Sequence, residues 1–396
     1  MSSDEPSDEP SDEQLTPEPS VAIDLSRRKD RSWPGLAELG VAQERADLDV
    51  LRRSMVGAQR AAAPYVTMTR IALTRLARDR LARAGGVVLA WLALAGVFAD
   101  VLASDLPLVC RFHGVLYVMP NVTRPRALEG IDCARMIHER QPSDWLIAPL
   151  VADASAASIT AVDALAAPFV RGHPFGTDTQ GHDVFARVVH GARNALGMGL
   201  AAAALLVAVG VLLGALAGFA GGIIDALVAR AVEALTAIPT LLLVLVVGAL
   251  LPNPTRVTLL LTIALTRWTE LARLVRAEVL SALGSDYASA ARALGASLPR
   301  VLWRHVLPNA IGPAIVGATF AVAWVVLVEA SVDFLLGGAA APGTSWGQLM
   351  GEARAHDQAW WLVVFPGLAL LATLLALTLV GEAARNALDP RLRGGA

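Results

Sequence analysis

The run NALGMGLAAAALLVAVGVLLGALAGFAGGII, residues 194–224, carries no charge over 31 positions. A bilayer core about 30 Å thick is crossed by about 20 apolar residues of helix. The run therefore predicts a membrane-spanning helix with residues to spare. Gly210, Gly214 and Gly218 recur every four positions, which gives that helix a small-residue face suited to close packing on a neighbour rather than to a substrate path.

Similar runs lie to either side. Arg83 is followed by sixteen uncharged residues before Asp100, predicting a first span over 84–104. The second span lies within 194–224, and 234–255 gives a third. Residues 257–266 give a fourth that runs into Arg267 and Glu270, so its inner end must be polar or packed against protein. Residues 306–328 and 358–381 give the fifth and sixth. The composition agrees. Of 396 residues, 55% are hydrophobic and 17% charged, against about 25% charged in a soluble domain. The net charge of −2 gives no reason to expect a nucleic-acid partner.

Arginine placement orients the spans. Arg70, Arg75, Arg78, Arg80 and Arg83 precede the first; Arg273, Arg276, Arg292, Arg300 and Arg304 lie between the fourth and fifth; Arg385, Arg391 and Arg393 follow the sixth. All three regions fall on one side if both termini are cytoplasmic. Residues 105–192 then form a periplasmic loop, with Cys110 and Cys133 either paired or free. The remaining divisions are a tail over 1–70, a first-span segment over 71–104, a core over 193–383 and a C-terminal segment over 384–396. The first 20 residues hold seven acids and no base, the reverse of a signal peptide, and the tail is expected to be disordered. Trp360 and Trp361 fit an interfacial belt.

The gap between spans four and five, 275–308, is helix-forming and rich in alanine. Ser285 or Asp286 can cap a helix that Gly295 ends, and Pro299 suits the first turn of the next. This predicts a helix, a glycine corner and a helix beneath the membrane, either seated in a partner's groove or lying in the lipid interface.

Asp286-Tyr287-Ala288-Ser289-Ala290-Ala291-Arg292-Ala293-Leu294-Gly295-Ala296-Ser297, with Arg304-His305-Val306-Leu307-Pro308-Asn309 after it, resembles the Glu-Ala-Ala…Gly loop of binding-protein-dependent ABC importer permeases. The resemblance is closest to the second permease subunit of the dipeptide/oligopeptide branch. Further segments follow in the same order: His173-Pro174-Phe175-Gly176-Thr177-Asp178, Ala237-Ile238-Pro239, Ala272-Arg273-Leu274-Val275-Arg276, Glu329-Ala330, Ser345-Trp346-Gly347, Phe365-Pro366-Gly367-Leu368 and Leu388-Asp389-Pro390-Arg391. Three positions depart from it. Ser289 stands where a glutamate is usual and His182 where an arginine is usual, and Phe334-Leu335-Leu336-Gly337-Gly338 replaces Phe-Leu-Gly-Leu-Gly.

The resemblance implies an all-α, six-span type I importer permease in a bacterial inner membrane. Its partners would be a second permease, two P-loop ATPases, a periplasmic solute-binding protein and membrane lipid. It implies that Asp286, Tyr287, Ser289, Ala290, Ala291, Arg292, Gly295, Ala296, Arg300 and Pro308 belong to a loop that couples to the ATPase. Pro239, Glu329 and Pro366 are gating or packing candidates, with Glu329 placed at the outer edge within reach of water and both prolines kinking their helices. The cargo is expected to be peptides or similar small solutes; a nickel- or opine-type importer, or a scaffold that has lost coupling, are the alternatives.

The only lysine is Lys29, so no Gly-x-x-x-x-Gly-Lys-Ser/Thr loop is present and ATP with its magnesium must be held by another polypeptide. No catalytic constellation and no zinc-spaced cysteine pair appear, and no bound cofactor or metal is expected. His173, Asp178, His182 and Asp183 cluster, but a loop feeding a short periplasmic helix explains them better than a metal site.

Overall fold

The computed structural model describes residues 74, 76–131, 133–139, 141–152, 164–170, 172–251, 255–337 and 344–388. The acidic tail, Lys29, Gly338 and the segment from 389 onward lie outside the described residues.

Helix α1 (Arg80–Val97) starts where the Asp79 carboxylate accepts the N–H groups of Leu81 and Ala82. It breaks at Phe98, and one more helical turn, Ala99–Leu102, carries the chain almost to the 104 expected. Arg193 donates to the Gly96 carbonyl at 2.7 Å and pairs with Asp100 at 2.8 Å. Strand β1 (Ala103–Ser104) follows at once.

The next stretch is a small folded unit rather than a plain loop. Strand β2 (Val109–Phe112) lies between β3 (Val115–Val118) and β4 (Trp145–Ile147), antiparallel to both, with α2 (Cys133–Glu139) between β3 and β4 in sequence. Strand β5 (Val151–Ala152) pairs in parallel with β1. Cys110 and Phe112 alternate inward from β2 and join Leu106, Leu128 and Met136 in a core of their own.

Helix α3 (Val184–Ala220) has 37 residues and begins nine before the 193 expected. It is about 55 Å long at 1.5 Å per residue, so it extends well beyond the hydrocarbon. Helices α4 (Gly222–Thr236) and α5 (Thr240–Leu250) meet at 75°. Pro239 does not kink a continuous span here. It stands exposed between two helices, because the residue before a proline is driven out of the helical region.

Helix α6 (Arg256–Leu283) is a single helix of 28 residues, opened by a Thr255–Thr258 capping box. Residues 275–283, assigned to the loop from sequence, therefore belong to α6. After α7 (Asp286–Ala293), α8 (Leu307–Leu336) carries the fifth apolar run, α9 (Trp346–Glu352) is a short connector and α10 (Trp361–Leu388) carries the sixth. Among the described residues, α1, α3, the Gly312–Leu336 part of α8 and α10 are each long and apolar enough to cross a membrane. The bent α4–α5 pair makes a fifth if it is one span.

The core sits where α3, α6 and α8 meet. Met198, Leu206, Leu259, Ile263, Trp268, Val275 and Val325 are all buried in it. The glycine stripe of α3 faces α6. A Cβ added at Gly210 would lie 2.9 Å from the Leu271 Cβ, and one at Gly214 would lie 2.5 Å from the Ala272 carbonyl oxygen. Gly218 is equally close to Arg276 and Val279, with 3.0 Å to each.

The Gly214→Val variant should force α3 from α6 and lower the melting temperature in detergent by many degrees. Gly197→Ala, where an added Cβ meets nothing within 4 Å, should leave it unchanged. Thermal unfolding of the two purified variants checks this.

Candidate functional site

The loop after α6 is built on a buried seam. Ala288 is fully buried on α7, and Val301, Leu302 and Val306 join it against Val275, Val279 and Ala282 of α6. The rest of α7 faces outward. Asp286, Tyr287, Ser289, Ala290 and Arg292 are exposed, while Ala291 and Ala296 are half-buried against the core. Leu294 is 89% exposed and Trp303 67% exposed, joined by Leu298. One face thus anchors the loop, and the opposite one shows large apolar side chains that a soluble surface rarely leaves clustered.

Gly295 makes the corner. Its φ is +83°, in the left-handed region that costs other residues roughly 1–2 kcal/mol. Its N–H donates to the Arg292 carbonyl at 2.9 Å, and the Ala296 N–H donates to the Ala291 carbonyl at 3.0 Å. These two bonds are the paired closure of a Schellman cap. At the other end Ser285 holds the N-cap position, but its hydroxyl donates back to the Ala282 carbonyl rather than accepting a helix N–H. Ser289 accepts from Arg292 Nη2 at 3.1 Å, so the side chain standing where a carboxylate is usual is engaged within the loop.

Beyond the corner the chain does not form a separate third helix. Leu298–Val301, with Pro299 in its first turn, passes through a wide π-turn at Leu302–Val306 into α8. The wider turn carries the chain past half-buried Pro308, whose ring would press on a carbonyl four residues back. Exposed Arg300 lies on the outer side.

The base of the loop is tied by a pair that the sequence reading did not identify. Arg276 donates through Nε and Nη2 to the two carboxylate oxygens of Asp225, at 2.5 and 2.6 Å. Asp225 is in the first turn of α4, just after Gly221 and Gly222, both at positive φ. The partners are 51 positions apart in sequence, which hid the pair.

The other candidates lie elsewhere. Glu329 is not at a wet edge: it is 3% exposed on α8, with equally buried Asp333 one turn further on and the Arg256 charge nearby. Asp333 meets Ser345, the N-cap of α9, and Arg256 Nη2 donates to the Thr344 carbonyl at 3.0 Å. Pro366 is buried in the second turn of α10, and its neighbour Phe365 stacks on Phe175 at 3.9 Å. Trp361 is also buried, with its N–H on the Thr177 carbonyl, so it braces the preceding loop and only Trp360 remains for an interfacial belt. The structure thus brings the loop residues together, while Glu329, Pro239 and Pro366 form no common site with them.

The His173–Asp183 cluster is an ionic brace. Arg187 Nη1 pairs with Asp178 and, at 2.7 Å, with Glu352 at the end of α9; Thr179 donates to the other Glu352 oxygen at 3.0 Å. His173 Nδ1 lies 2.8 Å from Asp183 and His182 Nδ1 3.3 Å from Asp178. Among the described residues no group of three or more such side chains is arranged to hold a metal ion. Burial opposes ionisation of Asp178, but hydrogen bonds from His182 and the Arg187 charge outweigh it and hold the carboxyl below its usual range. Because the folded value is depressed, this stabilisation is present above the ordinary carboxylate range and is lost as pH falls through the folded value.

Replacing Arg187 with leucine leaves Asp178 buried without its cation and should destabilise the protein by about 3–5 kcal/mol. A melting curve at neutral pH checks the loss, and it should shrink on acidification as Asp178 protonates. Gly295→Ala should cost about 1 kcal/mol, read as faster amide exchange confined to α7.

Residues 210–394 match the family model described as binding-protein-dependent transport system inner membrane component. The chain is 38% identical to the di/tripeptide transport system permease protein of Pseudomonas aeruginosa over 222 residues, 56% of this chain and 73% of that one. It is 35% identical to the dipeptide transport system permease protein of Alkalihalophilus pseudofirmus, over 63% of this chain and 81% of that one. The oligopeptide transport system permease protein of Bacillus subtilis is 36% identical, over 57% of this chain and 74% of that one. The match takes in the glycine-faced part of α3, α6, the Gly295 corner and α8 through α10. This chain is therefore a multi-pass membrane protein that belongs to the family of binding-protein-dependent transport system inner membrane components.

Proposed function

We propose that the chain is the permease subunit of an ATP-driven importer, forming with a second permease the path for peptides delivered by a periplasmic binding protein. The reading with six spans counts α1, α3, the broken α4–α5 pair, α6, α8 and α10, with both termini in the cytoplasm. The relatives' peptide cargo supports the substrate class. Two P-loop ATPases supply hydrolysis, and ATP and magnesium reside on them.

One observation carries the reading. Helix α7 is anchored by fully buried Ala288 and turned by the Gly295 Schellman cap, and Leu294 at its end and Trp303 in the π-turn that follows are uncovered. A short helix presenting apolar anchors in this way suits a groove on a partner. Closure of the ATPases would push on α7, and the continuous path from Val301 into α8 would carry the movement into the membrane. Asp286, Tyr287, Ser289, Arg292 and Arg300 surround the apolar anchors and supply the polar rim. Because Ser289 offers no carboxylate, apolar contact carries the docking.

Gly295→Pro cannot adopt the positive φ of the corner. It should abolish uptake of a labelled peptide in vesicles while leaving membrane abundance intact. Normal uptake by this variant would rule out coupling through α7. If the unsubstituted chain neither stimulates an ATPase partner nor supports uptake, a scaffold that has lost coupling becomes the better reading.

A further inference from the structure

Arg267 and Glu270 are absorbed neither by the loop nor by the outer brace. Arg267 is 11 residues from Arg256 at one end of α6 and nine from Arg276 near the other, so it lies about 16 Å and about 14 Å along the helix from each. The two charges thus stand in the interior of α6, directly after the uncharged run 257–266 that the six-span reading places in the hydrocarbon. An arginine there costs roughly 2.5–3.5 kcal/mol on insertion scales, so such residues face protein or a water-filled path.

Here they face a cleft of 280 Å³ between α6 and α8, with Leu274, Gly317, Phe320 and Trp324 among its walls. The guanidinium of Arg267 lies flat over the Trp324 ring at 4.0 Å and pairs with both carboxylate oxygens of Glu270, at 2.6 and 2.7 Å. The Arg267 side chain is 25% exposed and that of Glu270 52%. The arginine is therefore held between the Trp324 ring and the glutamate, and the glutamate is the more exposed of the two.

Resting on the importer reading above, we infer that this cleft is a transit site for the charged ends of a short, free-ended peptide. Glu270 turns off Arg267; the peptide carboxylate takes its place on the guanidinium and the peptide ammonium meets Glu270. Both the site and a free-ended peptide are net neutral, so the exchange never leaves a net charge in the hydrocarbon. Phe320, Leu274 and the backbone at Gly317 line the space that receives side chains of differing size without selecting among them. The volume falls just below the roughly 300–1,000 Å³ of drug-sized ligand sites and suits a ligand of few residues.

The test uses the assembled importer in membrane vesicles, with saturating binding protein and a radiolabelled free-ended tripeptide. The double variant Arg267→Gln/Glu270→Gln keeps a neutral, hydrogen-bonding pair of similar size. Its maximal uptake should fall at least about tenfold, the loss of one charged hydrogen bond, with membrane abundance unchanged. Wild-type uptake by the double variant would overturn the inference. Should the variant fail to accumulate, a photoreactive free-ended tripeptide applied to the unsubstituted importer decides: labelling within 267–274 or 317–324 supports the site, and labelling only elsewhere overturns it. If the unsubstituted importer takes up no peptide at all, the importer reading itself falls, and the inference with it.

Discussion

The backbone approach of α3 to α6 is the contact on which the rest depends. Gly210, Gly214 and Gly218 bring the two helices so close that a single methyl group at Gly214 would collide with a carbonyl. Lipid tails are as apolar as leucine, so hydrophobic burial gives little reason for helices to associate in a bilayer; close van der Waals contact does. That contact fixes α6, and α6 carries the charges and leads directly into the loop that holds α7.

The charges along α6 are each held in a different way. Near its end, Arg276 is clamped by Asp225 of α4. Midway, Arg267 is held by Glu270 and the Trp324 ring. At its start, Arg256 meets the 344–345 strap beside Glu329 and Asp333. Every partner except Glu270 comes from another element, so these contacts also tie α4, α8 and the strap before α9 to α6. α6 gives α7 a firm base, and the chain runs without a break from Val301 into α8.

Outside the bundle the same logic is repeated with polar groups. Arg187 joins the segment before α3 to the end of α9 through Asp178 and Glu352, and Trp361 reaches back to Thr177. These contacts reinforce the packing of the short connector α9 on α3, where buried Trp346 meets Gly191 and donates to the Val188 carbonyl. The small sheet around β2 stands on its own core and does not enter this brace.

The sequence by itself determined the apolar runs, the class of protein and the local form of the loop, because these depend on composition and on neighbours a few residues apart. The Gly295 corner is of this kind: a glycine after an alanine-rich helix is legible from spacing alone. Tertiary structure decided what spacing cannot encode. Pro239 separates two helices because the chain turns by 75° there, and α6 continues to Leu283 because Val275, Val279 and Ala282 find the core that Ala288 completes. Glu329 is buried rather than wet because α9 and Arg256 close over it. The Asp225–Arg276, Arg187–Glu352 and Arg267–Trp324 contacts join residues 51, 165 and 57 positions apart. Electrostatic and stacking partners are chosen by proximity in space, and only the packing of α3 on α6 and α8 brings them together.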